Sequence, residues 1–447
     1  MLNFHKIINK GMLFLLAFFL LIPIFSSVQA KWIPDFSDAD IYWKMKAGET
    51  IKVYVPKHPY MVSLKPFLPE FEELTGIKIK LEEASEQEYL NKLLLDLSSG
   101  SPNTDAFMVL HNRIAQYNKG GWIEGLNSYM NTNGLYDAEW YDLDDYAAGA
   151  KFMQTINGEL FALPIVTEQQ TMFYRKDLFK KAGVEIPQTQ DELLEVAKKL
   201  KALPGVDGGI SVRIKRNESD WHYSAWIATY GGVWVDPNTG MPHLDSPEAI
   251  AATDMFVRLM KEAGPKGAMN YGWFEGYQAF AQGKLAIFID ANGFIGIFED
   301  PKKSKVVGKV GYALMPSDPK GNRAVSGITS WSWGIASGSD KKIAAWLFGL
   351  WATSKEMSQK TATAGWIART STWSYPKLAE IWPKDFIETN SIGLSKYSAT
   401  NSYPKTPDIM PVGDIVMVAL QEVFAGKYTA EEAMKIAQKK TLEVLNK

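Results

Sequence analysis

Cysteine is absent from the 447-residue sequence, which excludes disulfide bonds, thiolate metal sites and a cysteine nucleophile. Histidine is scarce, with five residues in the whole chain, and no two of them have the spacing of an HExxH zinc motif. The sequence also lacks a P-loop, a dinucleotide-binding glycine fingerprint and a G-x-S-x-G nucleophile motif. We therefore expect neither a bound metal ion nor a cofactor.

An excess of charge of one sign is missing as well. Lys and Arg number 48 against 50 Asp and Glu, which gives a formal net charge of −2. This balance does not favour nucleic acid or an anionic membrane surface as a partner. Hydrophobic residues make up 46% of the chain, a globular composition, and the length predicts two or three domains or one large two-lobed body.

Aromatic side chains, in contrast, are plentiful, with 15 Trp and 19 Tyr. A flat apolar ring with a polar edge suits a ligand that is half hydroxyl and half C–H, such as a sugar. The alternative is that the tryptophans fill a hydrophobic core. Composition alone leaves both interpretations open.

Residues 1–30 have the pattern of a secretory signal peptide. A basic start precedes an apolar run from Met12 to Phe25, and the small residues Val28 and Ala30 occupy the positions before the cleavage point. The run is short for a membrane span, and Pro23 interrupts it. Because no cysteine follows, no lipid attachment site is expected. We predict a cleaved leader and a mature protein that is free in the periplasm.

Strand and helix patterns alternate at the start of the mature chain. Short β-branched or alternating runs predict strands at Ile51–Val55, Ile77–Leu81 and Ala106–Leu110. Leucine and phenylalanine at helical spacing predict helices at Leu64–Leu74 and Leu90–Leu97. A β-α-β-α-β order predicts a parallel sheet with helices on its faces.

Later in the chain, three helices carry sequence signals for their first turn and two further strands are predicted. No repeat and no linker rich in Pro, Gly or Ser separates the parts, so we expect a chain that crosses between two lobes several times. The helix starts are Thr189 with Glu192, Ser246 before Pro247, and Thr429 with Glu432, and the strands are Leu285–Ile289 and Val310–Leu314.

Ordered motifs along nearly the whole mature chain resemble the extracellular solute-binding proteins of ABC importers, the group that includes maltose- and polyol-binding proteins. Each motif alone is loose, whereas the ordered set is specific. The segments 264–277 and 298–301 are more similar to the polyol and monosaccharide branch than to the maltodextrin branch. The motifs are LKPFLPEFEELTG with IKIKLEEAS, then residues 97–126, 163–189, 279–293 and 326–354.

The resemblance implies an α/β fold of the type II periplasmic-binding-protein class, in which two lobes are joined by three crossings. The ligand is then held in the cleft between the lobes, which close on it by a hinge motion. The crossings are expected near Pro164–Thr171, Gly327–Trp333 and Gly365–Thr370. Lobe 1 is expected to comprise residues 31–165 with 331–367, and lobe 2 residues 166–330 with 368–447.

Polar residues that follow the first three strands are candidate ligand contacts in lobe 1, because loops at strand carboxyl ends line the clefts of α/β sheets. Asn, Glu and Arg side chains together both accept from and donate to sugar hydroxyls. The resemblance adds support for Asn112 and Arg113, although maltodextrin binders have an acidic residue where Asn112 stands. The lobe 1 candidates are His58, Tyr60, Glu83, Ser85, His111, Asn112 and Arg113.

The resemblance also implies ligand contacts in the crossings and in lobe 2, where Asp290 and Asn292 end the predicted strand Leu285–Ile289, a position that often reaches the ligand. Glu168 occupies the place of a ligand-binding acid, with pinning of the hinge as the alternative. Trp331 and Trp333 alternate on one strand and are expected to face one side, either as the cleft floor or as core. Arg369 is expected to bind a ligand hydroxyl or to bridge the lobes. These candidates are Glu168, Gln169, Trp221, His222, Asp290, Asn292, Trp331, Trp366 and Arg369.

The sequence therefore predicts a monomeric, non-enzymatic receptor that captures a sugar or polyol and passes it to the transmembrane subunits of an ABC importer. Two alternatives stay open. A secreted glycoside-active enzyme needs two carboxylates flanking one bond. A receptor for an anionic sugar acid would use Lys57, Arg113 and Arg369 as an anion clamp.

Overall fold

The computed structural model describes residues 35–216, 218–236, 239–322, 328–362, 365–397 and 403–446, so the predicted leader lies outside it. Ten strands form the sheets. They are β1 Thr50–Pro56, β2 Lys78–Ala84, β3 Ala106–Leu110, β4 Thr155–Ile156, β5 Glu159–Leu160, β6 Leu163–Arg175, β7 Gly208–Ser211, β8 Leu285–Ala291, β9 Val310–Leu314 and β10 Ile328–Ile335.

The α-helices cover the faces of the sheets, and within the described ranges none is both long and apolar enough to cross a membrane. They are α1 Pro59–Leu64, α2 Leu68–Thr75, α3 Glu86–Ser98, α4 Ile114–Lys119, α5 Asn127–Met130, α6 Ala138–Tyr141, α7 Ala148–Gln154, α8 Lys176–Ala182, α9 Gln190–Lys201, α10 Asp220–Thr229, α11 Pro247–Arg258, α12 Trp273–Ala281, α13 Ile295–Phe298, α14 Lys342–Ala352, α15 Lys355–Thr361, α16 Leu378–Ile381, α17 Lys384–Lys396, α18 Ile409–Phe424 and α19 Ala430–Leu445.

The first three strands form the predicted parallel unit. β1 pairs in parallel with β2 on one side and with β3 on the other. β10 then joins β3 in antiparallel orientation, so the sheet as a whole is mixed. The predicted α/β class is confirmed, with an antiparallel addition that the local order of elements does not reveal.

β6 links the two lobes. Its first half, residues 163–169, pairs with β10, whereas its second half, residues 170–175, pairs with β8 and β9. We call lobe 1 the part built on β1, β2, β3, β10 and the first half of β6, and lobe 2 the part built on β7, β8, β9 and the second half. The strand partner of β6 changes between Gln169 and Gln170. The lobe boundary that was expected after residue 165 stays a prediction.

The chain crosses between the lobes twice more. After β9 in lobe 2 it returns to lobe 1 with β10, through a segment that includes residues outside the described ranges. After α14 and α15 it passes back to lobe 2, where Phe386 of α17 packs on Tyr312 of β9 at 5.2 Å between ring centroids. A two-lobed molecule with three crossings is the architecture that the resemblance implied.

The predicted helix starts are present as hydrogen bonds. The side chain of Thr189 accepts from the backbone of Glu192 at 3.3 Å, and that of Thr429 accepts from Glu432 at 3.2 Å. Ser246 accepts from the backbone of Ala249 at 3.2 Å. Each contact satisfies a free N–H group in the first turn, which is why the sequence signal located these ends correctly.

The predicted single helix from Leu64 to Leu74 is wrong in one respect. The chain forms α1, a 3₁₀ turn at Lys65–Phe67, and α2, because Pro66 and Pro69 lack an N–H group and disfavour a helical residue before them. The helix ends as expected at Gly76, whose φ of 73° is in the left-handed region.

The rings of Trp331 and Trp333 have different neighbours, and the expectation that they face one side stays a prediction. β10 pairs with β3 without a shift, whereas its pairing with β6 shifts between Trp331 and Ser332 because Ile165 is an extra residue in β6. The ring of Trp331 lies 6.5 Å from that of Tyr89 on α3, whereas the ring of Trp333 lies 4.9 Å from that of Phe348 on α14. The two indoles therefore contact different helices.

Candidate functional site

An ion pair of lobe 2, Arg213 with Asp290, lies where the two lobes meet, and we call this region the cleft. Asp290 stands at the end of β8 and is fully buried. The guanidinium of Arg213, which follows β7, donates to it from Nε at 3.0 Å and from Nη2 at 2.5 Å. The same guanidinium lies 4.9 Å from the centroid of the Trp221 ring. This forked and stacked contact fixes the orientation of the indole.

Glu168 belongs to the part of β6 just before the change of lobe. Its side chain is 7% exposed, and in the part of the chain that the structure describes no hydrogen bond or ion pair reaches its carboxyl group. Burial raises the pKa of Glu168 to about 8, with opposing effects from the positive charge of Arg213 and the negative charges of Asp290 and Glu86. The carboxyl group is therefore largely protonated at pH 7.

His222 shows which hydrogen-bonding groups lobe 2 presents. Burial lowers its pKa to about 4, so the imidazole is neutral at pH 7. Nε2 lies 2.9 Å from the carbonyl oxygen of Ile289, which only accepts, so Nε2 carries the proton. Nδ1 is then a bare acceptor, and it has no partner among the described residues. The neighbouring Gln170 donates to the carbonyl groups of Trp221 and His222 at 3.3 and 3.2 Å.

Lobe 1 contributes a group of rings. The imidazole of His58, whose pKa burial lowers to about 4, lies 5.8 Å from Trp331 and 5.2 Å from Trp366. Trp366 reaches across to lobe 2, where a Cβ atom on Gly293 would come within 2.3 Å of its ring. Glycine is needed there because any side chain would push the indole away. The third crossing thus brings an aromatic face against the end of β8.

A second contact between the lobes lies at His111. The hydroxyl group of Thr329 is 2.9 Å from His111 Nδ1, which also accepts from the backbone of Ser330 at 3.4 Å, so Nε2 carries the proton and has no described partner. The ring of Tyr403, from the segment before α18, lies 5.1 Å from that of His111, and the Tyr403 hydroxyl donates to Asp220. Asn112 also bonds to Tyr403.

Several buried polar atoms around the cleft have no partner among the described residues. Both kinds are present: N–H donors and oxygen or nitrogen acceptors. A ligand hydroxyl donates and accepts at once, so a polyhydroxylated molecule is the complement of such a set. The donors are Trp221 Nε1, His111 Nε2 and Asn292 Nδ2, and the acceptors are His222 Nδ1, Asn112 Oδ1 and Gln170 Oε1.

Other residues that were predicted to contact the ligand interact with other parts of the protein. The hydroxyl group of Tyr60 donates to the carbonyl oxygen of Ala352 at 3.2 Å. Glu83 forms an ion pair with Lys65 at 2.9 Å and is partly exposed. Ser85 is the exposed residue before α3. That Tyr60, Glu83 and Ser85 contact the ligand stays a prediction, and the interactions described here do not favour it.

Two more predicted contacts also have protein partners. Gln169 donates to Asn390 at 2.5 Å, and its backbone N–H donates to Asn292 Oδ1 at 3.4 Å, which joins β6 to α17 and to the end of β8. Arg113 donates to Gln116 at 3.3 Å, while its Nε has no described partner. These hydrogen bonds hold Gln169 where β6 passes from lobe 1 to lobe 2.

Arg369 lies inside lobe 1. Its Nε donates to the carbonyl oxygen of Thr353 at 2.7 Å, and its Nη1 donates to Asp142 at 3.1 Å and to Asp145 at 3.4 Å. The guanidinium is also stacked 4.6 Å from Tyr141 and 4.4 Å from Tyr146. These contacts favour a structural role over both predicted roles, ligand binding and bridging of the lobes.

Three residues of the site were not identified from the sequence. Arg213 comes two residues after β7, a strand whose two glycines hide it from a hydrophobic pattern. Glu86 lies in the first turn of α3, one residue beyond the predicted Ser85. Tyr403 lies in an irregular segment. The strand-end rule that found Asp290 would have found Arg213 if β7 had been recognised.

The donor set does not resemble a metal centre. Within the described ranges, no group of three or more His, Asp or Glu side chains has the geometry to hold a metal ion. The carboxylate of Asp290, the strongest potential ligand in the cleft, is occupied by Arg213. The side chains of the cleft can form hydrogen bonds with a ligand and stack against it.

The sequence model for bacterial extracellular solute-binding proteins matches residues 56–359. The chain belongs to this family. It is 28% identical over 423 residues, 90% of this chain and 87% of the relative, to an erythritol/L-threitol-binding protein of Mycolicibacterium smegmatis. It is 27% identical over 421 residues, 89% of this chain and 93% of the relative, to a mannitol-binding protein of Pseudomonas aeruginosa.

A solved solute-binding protein has the same fold. A solute-binding protein of an ABC transporter from Agrobacterium radiobacter K84, solved in complex with ribitol, superimposes with a TM-score of 0.78 at 26% identity. The match covers 89% of this chain and 99% of that structure. The family is extracellular by its description, and its members named here are binding proteins, in agreement with the predicted class of function.

Proposed function

We propose that this protein captures a short acyclic polyol in the cleft between its lobes and delivers it unaltered to an ABC importer. The relatives that support this ligand class bind erythritol, L-threitol, mannitol and ribitol, all of which are linear alditols. The chain spans nearly the full length of each of them. The proposal extends to a mature protein that acts as a free periplasmic monomer without a lipid anchor.

The observation that carries the proposal is the set of unpaired buried donors and acceptors beside the Arg213–Asp290 pair and the Trp221 ring. A buried polar atom left unpaired costs about 1–3 kcal/mol, so a ligand that pairs several of them gains affinity and is selected by hydroxyl stereochemistry. The indole face of Trp221 offers the apolar surface that the C–H side of an alditol requires.

The charges favour a neutral ligand over a sugar acid. The predicted anion clamp needs Arg369 in the cleft, but that guanidinium is held by Asp145 and by carbonyl groups in lobe 1. Arg213, the cation that does face the cleft, is already paired with Asp290. An anionic ligand beside Arg213 would therefore add negative charge next to Asp290 without meeting a cation there that lacks an acidic partner.

A glycoside-active enzyme is favoured less. Such an enzyme needs one carboxylate free to attack or to activate water while a second carboxyl group donates a proton. Glu168 would suit the proton donor, but Asp290 is fully buried and accepts three hydrogen bonds from Arg213. We therefore propose binding without chemical change.

Calorimetric titration with D-mannitol, ribitol, erythritol and maltose tests the proposal. We expect stoichiometric binding of at least one alditol and recovery of that alditol unchanged after incubation. Trp221→Ala removes the stacking face and should weaken binding by about tenfold or more, since stacking and apolar burial contribute roughly 1–3 kcal/mol.

Trp122→Ala is the matched control, because Trp122 lies in lobe 1 against Gly120, away from the cleft residues. It should lower the melting temperature yet keep the alditol affinity. Absence of alditol binding by the folded wild-type protein, or release of a product, would contradict the proposed function.

A further inference from the structure

The cleft holds more carboxyl groups than cations. Arg213 is 15% exposed at its side chain and is paired with Asp290. Its positive charge also acts on Glu168 and on Glu86, which faces it from lobe 1. Lys215 forms ion pairs with Glu218 at 3.1 Å and with Glu275 at 3.2 Å, so these two acids already balance its charge. Glu168 is left without a cation of its own.

Glu168 differs from Asp290 and Glu218 in having no hydrogen-bond or ion-pair partner among the described residues. Asp290 has Arg213 and Glu218 has Lys215, whereas the carboxyl group of Glu168 has no hydrogen bond or ion pair to any described residue. A second observation marks this place as a binding site. Trp221 Nε1 and His222 Nδ1, on residues 6% and 0% exposed, are unpaired beside the same Arg213–Asp290 pair.

We propose that the cleft also accepts an alditol carrying a primary ammonium group, and that the ammonium binds at Glu168. This inference rests on the proposed function, because the remaining hydroxyl groups would use the same donors and acceptors. An ammonium has three donors and one positive charge, which is what an isolated buried carboxylate lacks. Binding would hold Glu168 in its ionised form and balance the charge of the site.

The ordering of three ligands that differ at one carbon follows from this arrangement. In D-mannitol the terminal group is a neutral hydroxyl, in its terminal-amine analogue an ammonium, and in D-mannonate a carboxylate. The ammonium pairs with ionised Glu168, the hydroxyl makes neutral hydrogen bonds, and the carboxylate adds a second negative charge beside that of Asp290. We therefore expect the terminal-amine analogue to bind most tightly, D-mannitol less tightly and D-mannonate most weakly.

Calorimetric titration of the wild-type protein with these three compounds at neutral pH is the test. The amine analogue should bind at least as tightly as D-mannitol, and D-mannonate should bind at least about tenfold more weakly. Glu168→Gln keeps the size of the side chain and removes its charge. It should lower the affinity ratio of amine to alditol by about tenfold or more. Glu195→Gln, an exposed acid on α9 paired with Lys198, should leave the ratio unchanged.

The outcomes separate this inference from the proposed function. Binding of D-mannitol or ribitol without binding of their amine analogues would overturn the inference and leave the proposed function standing. An affinity ratio unchanged by Glu168→Gln, in a variant shown to be folded by circular dichroism, would overturn it too. If no alditol and no amine analogue binds, both proposals fail. The series on the wild-type protein decides the question even if the variant does not fold.

Discussion

Two arginines, Arg213 in lobe 2 and Arg369 in lobe 1, have partners of the same kinds. Arg213 is paired with Asp290 and stacked on Trp221, and Arg369 is paired with Asp145 and stacked on tyrosines. They differ in what surrounds the pair. Arg369 donates to backbone carbonyl groups and its side chain is 1% exposed, whereas Arg213 is 15% exposed and borders unpaired polar atoms.

The comparison teaches that an arginine with an acid and an aromatic ring for partners is not by that fact a ligand contact. In lobe 1 the Nε and Nη1 donors join the end of α14, the turn after α6 and the third crossing, so the guanidinium replaces backbone hydrogen bonds that irregular segments lack. In lobe 2 the pair leaves one side open to the cleft. Replacing each arginine separately tests this distinction.

The largest effect is expected for Arg369→Met. The change leaves Asp145 and the carbonyl groups of Asp142 and Thr353 without a buried cation, so the free energy of unfolding should fall by about 3–5 kcal/mol. Urea denaturation measures the loss. The alditol affinity of the protein that stays folded should be unchanged within about twofold. Loss of affinity with little loss of stability would reverse the assignment of Arg369.

Arg213→Met is expected to act on binding first. Without the guanidinium, Trp221 loses its support and Asp290 loses its partner, so alditol affinity should fall by about 100-fold, roughly 2.8 kcal/mol. The loss of stability should be smaller than for Arg369→Met, because water can reach the cleft. Calorimetric titration gives the affinity. Arg216→Met, which removes an exposed pair with Asp414, is the control and should bind normally.

The smallest effect concerns the pH dependence of stability. The pKa of Glu168 is raised to about 8 in the folded protein, so the folded state holds a proton that the unfolded state releases near pH 4.5. Its contribution to stability is present at low pH and is lost as the pH rises to 8. Between pH 6 and pH 8 the free energy of unfolding of the wild type should fall by about 2 kcal/mol more than that of Glu168→Gln.

The three buried histidines do not disturb this test. Their pKa values are lowered, so they stay neutral in the folded protein over this range and are common to both proteins. Equal slopes in the two unfolding series would mean that Glu168 is ionised in the folded state, and the cleft would then bear more negative charge than we infer.

Much of the fold could be predicted from local patterns in the sequence. The capping boxes at Thr189 and Thr429 and the strand Ala106–Leu110 were located because each depends on a few neighbouring residues. The strand-end rule also placed Asp290 and His111 in the cleft. It failed for Arg213, since β7 contains Gly208 and Gly209 and lacks the apolar alternation of a strand.

Two other features depended on distant parts of the chain. The bulge at Ile165 of β6 lies opposite Trp331 and Ser332 of β10, more than 150 positions later, and nothing within β6 signals it. The partners of Arg369 come from residues 142–145 and 353. A single residue type cannot indicate which distant groups will use its donors.

The sequence by itself determined the class of the molecule: a two-lobed α/β body without thiol chemistry, whose order of motifs identifies the family. Hydrophobic period, caps and motif order are local properties, so they can be read in a linear chain. Only the tertiary structure decided which arginine faces the cleft, which acid there lacks a partner and which polar atoms stay unpaired. Those are properties of what packs against a residue, and packing joins segments that the linear order keeps apart.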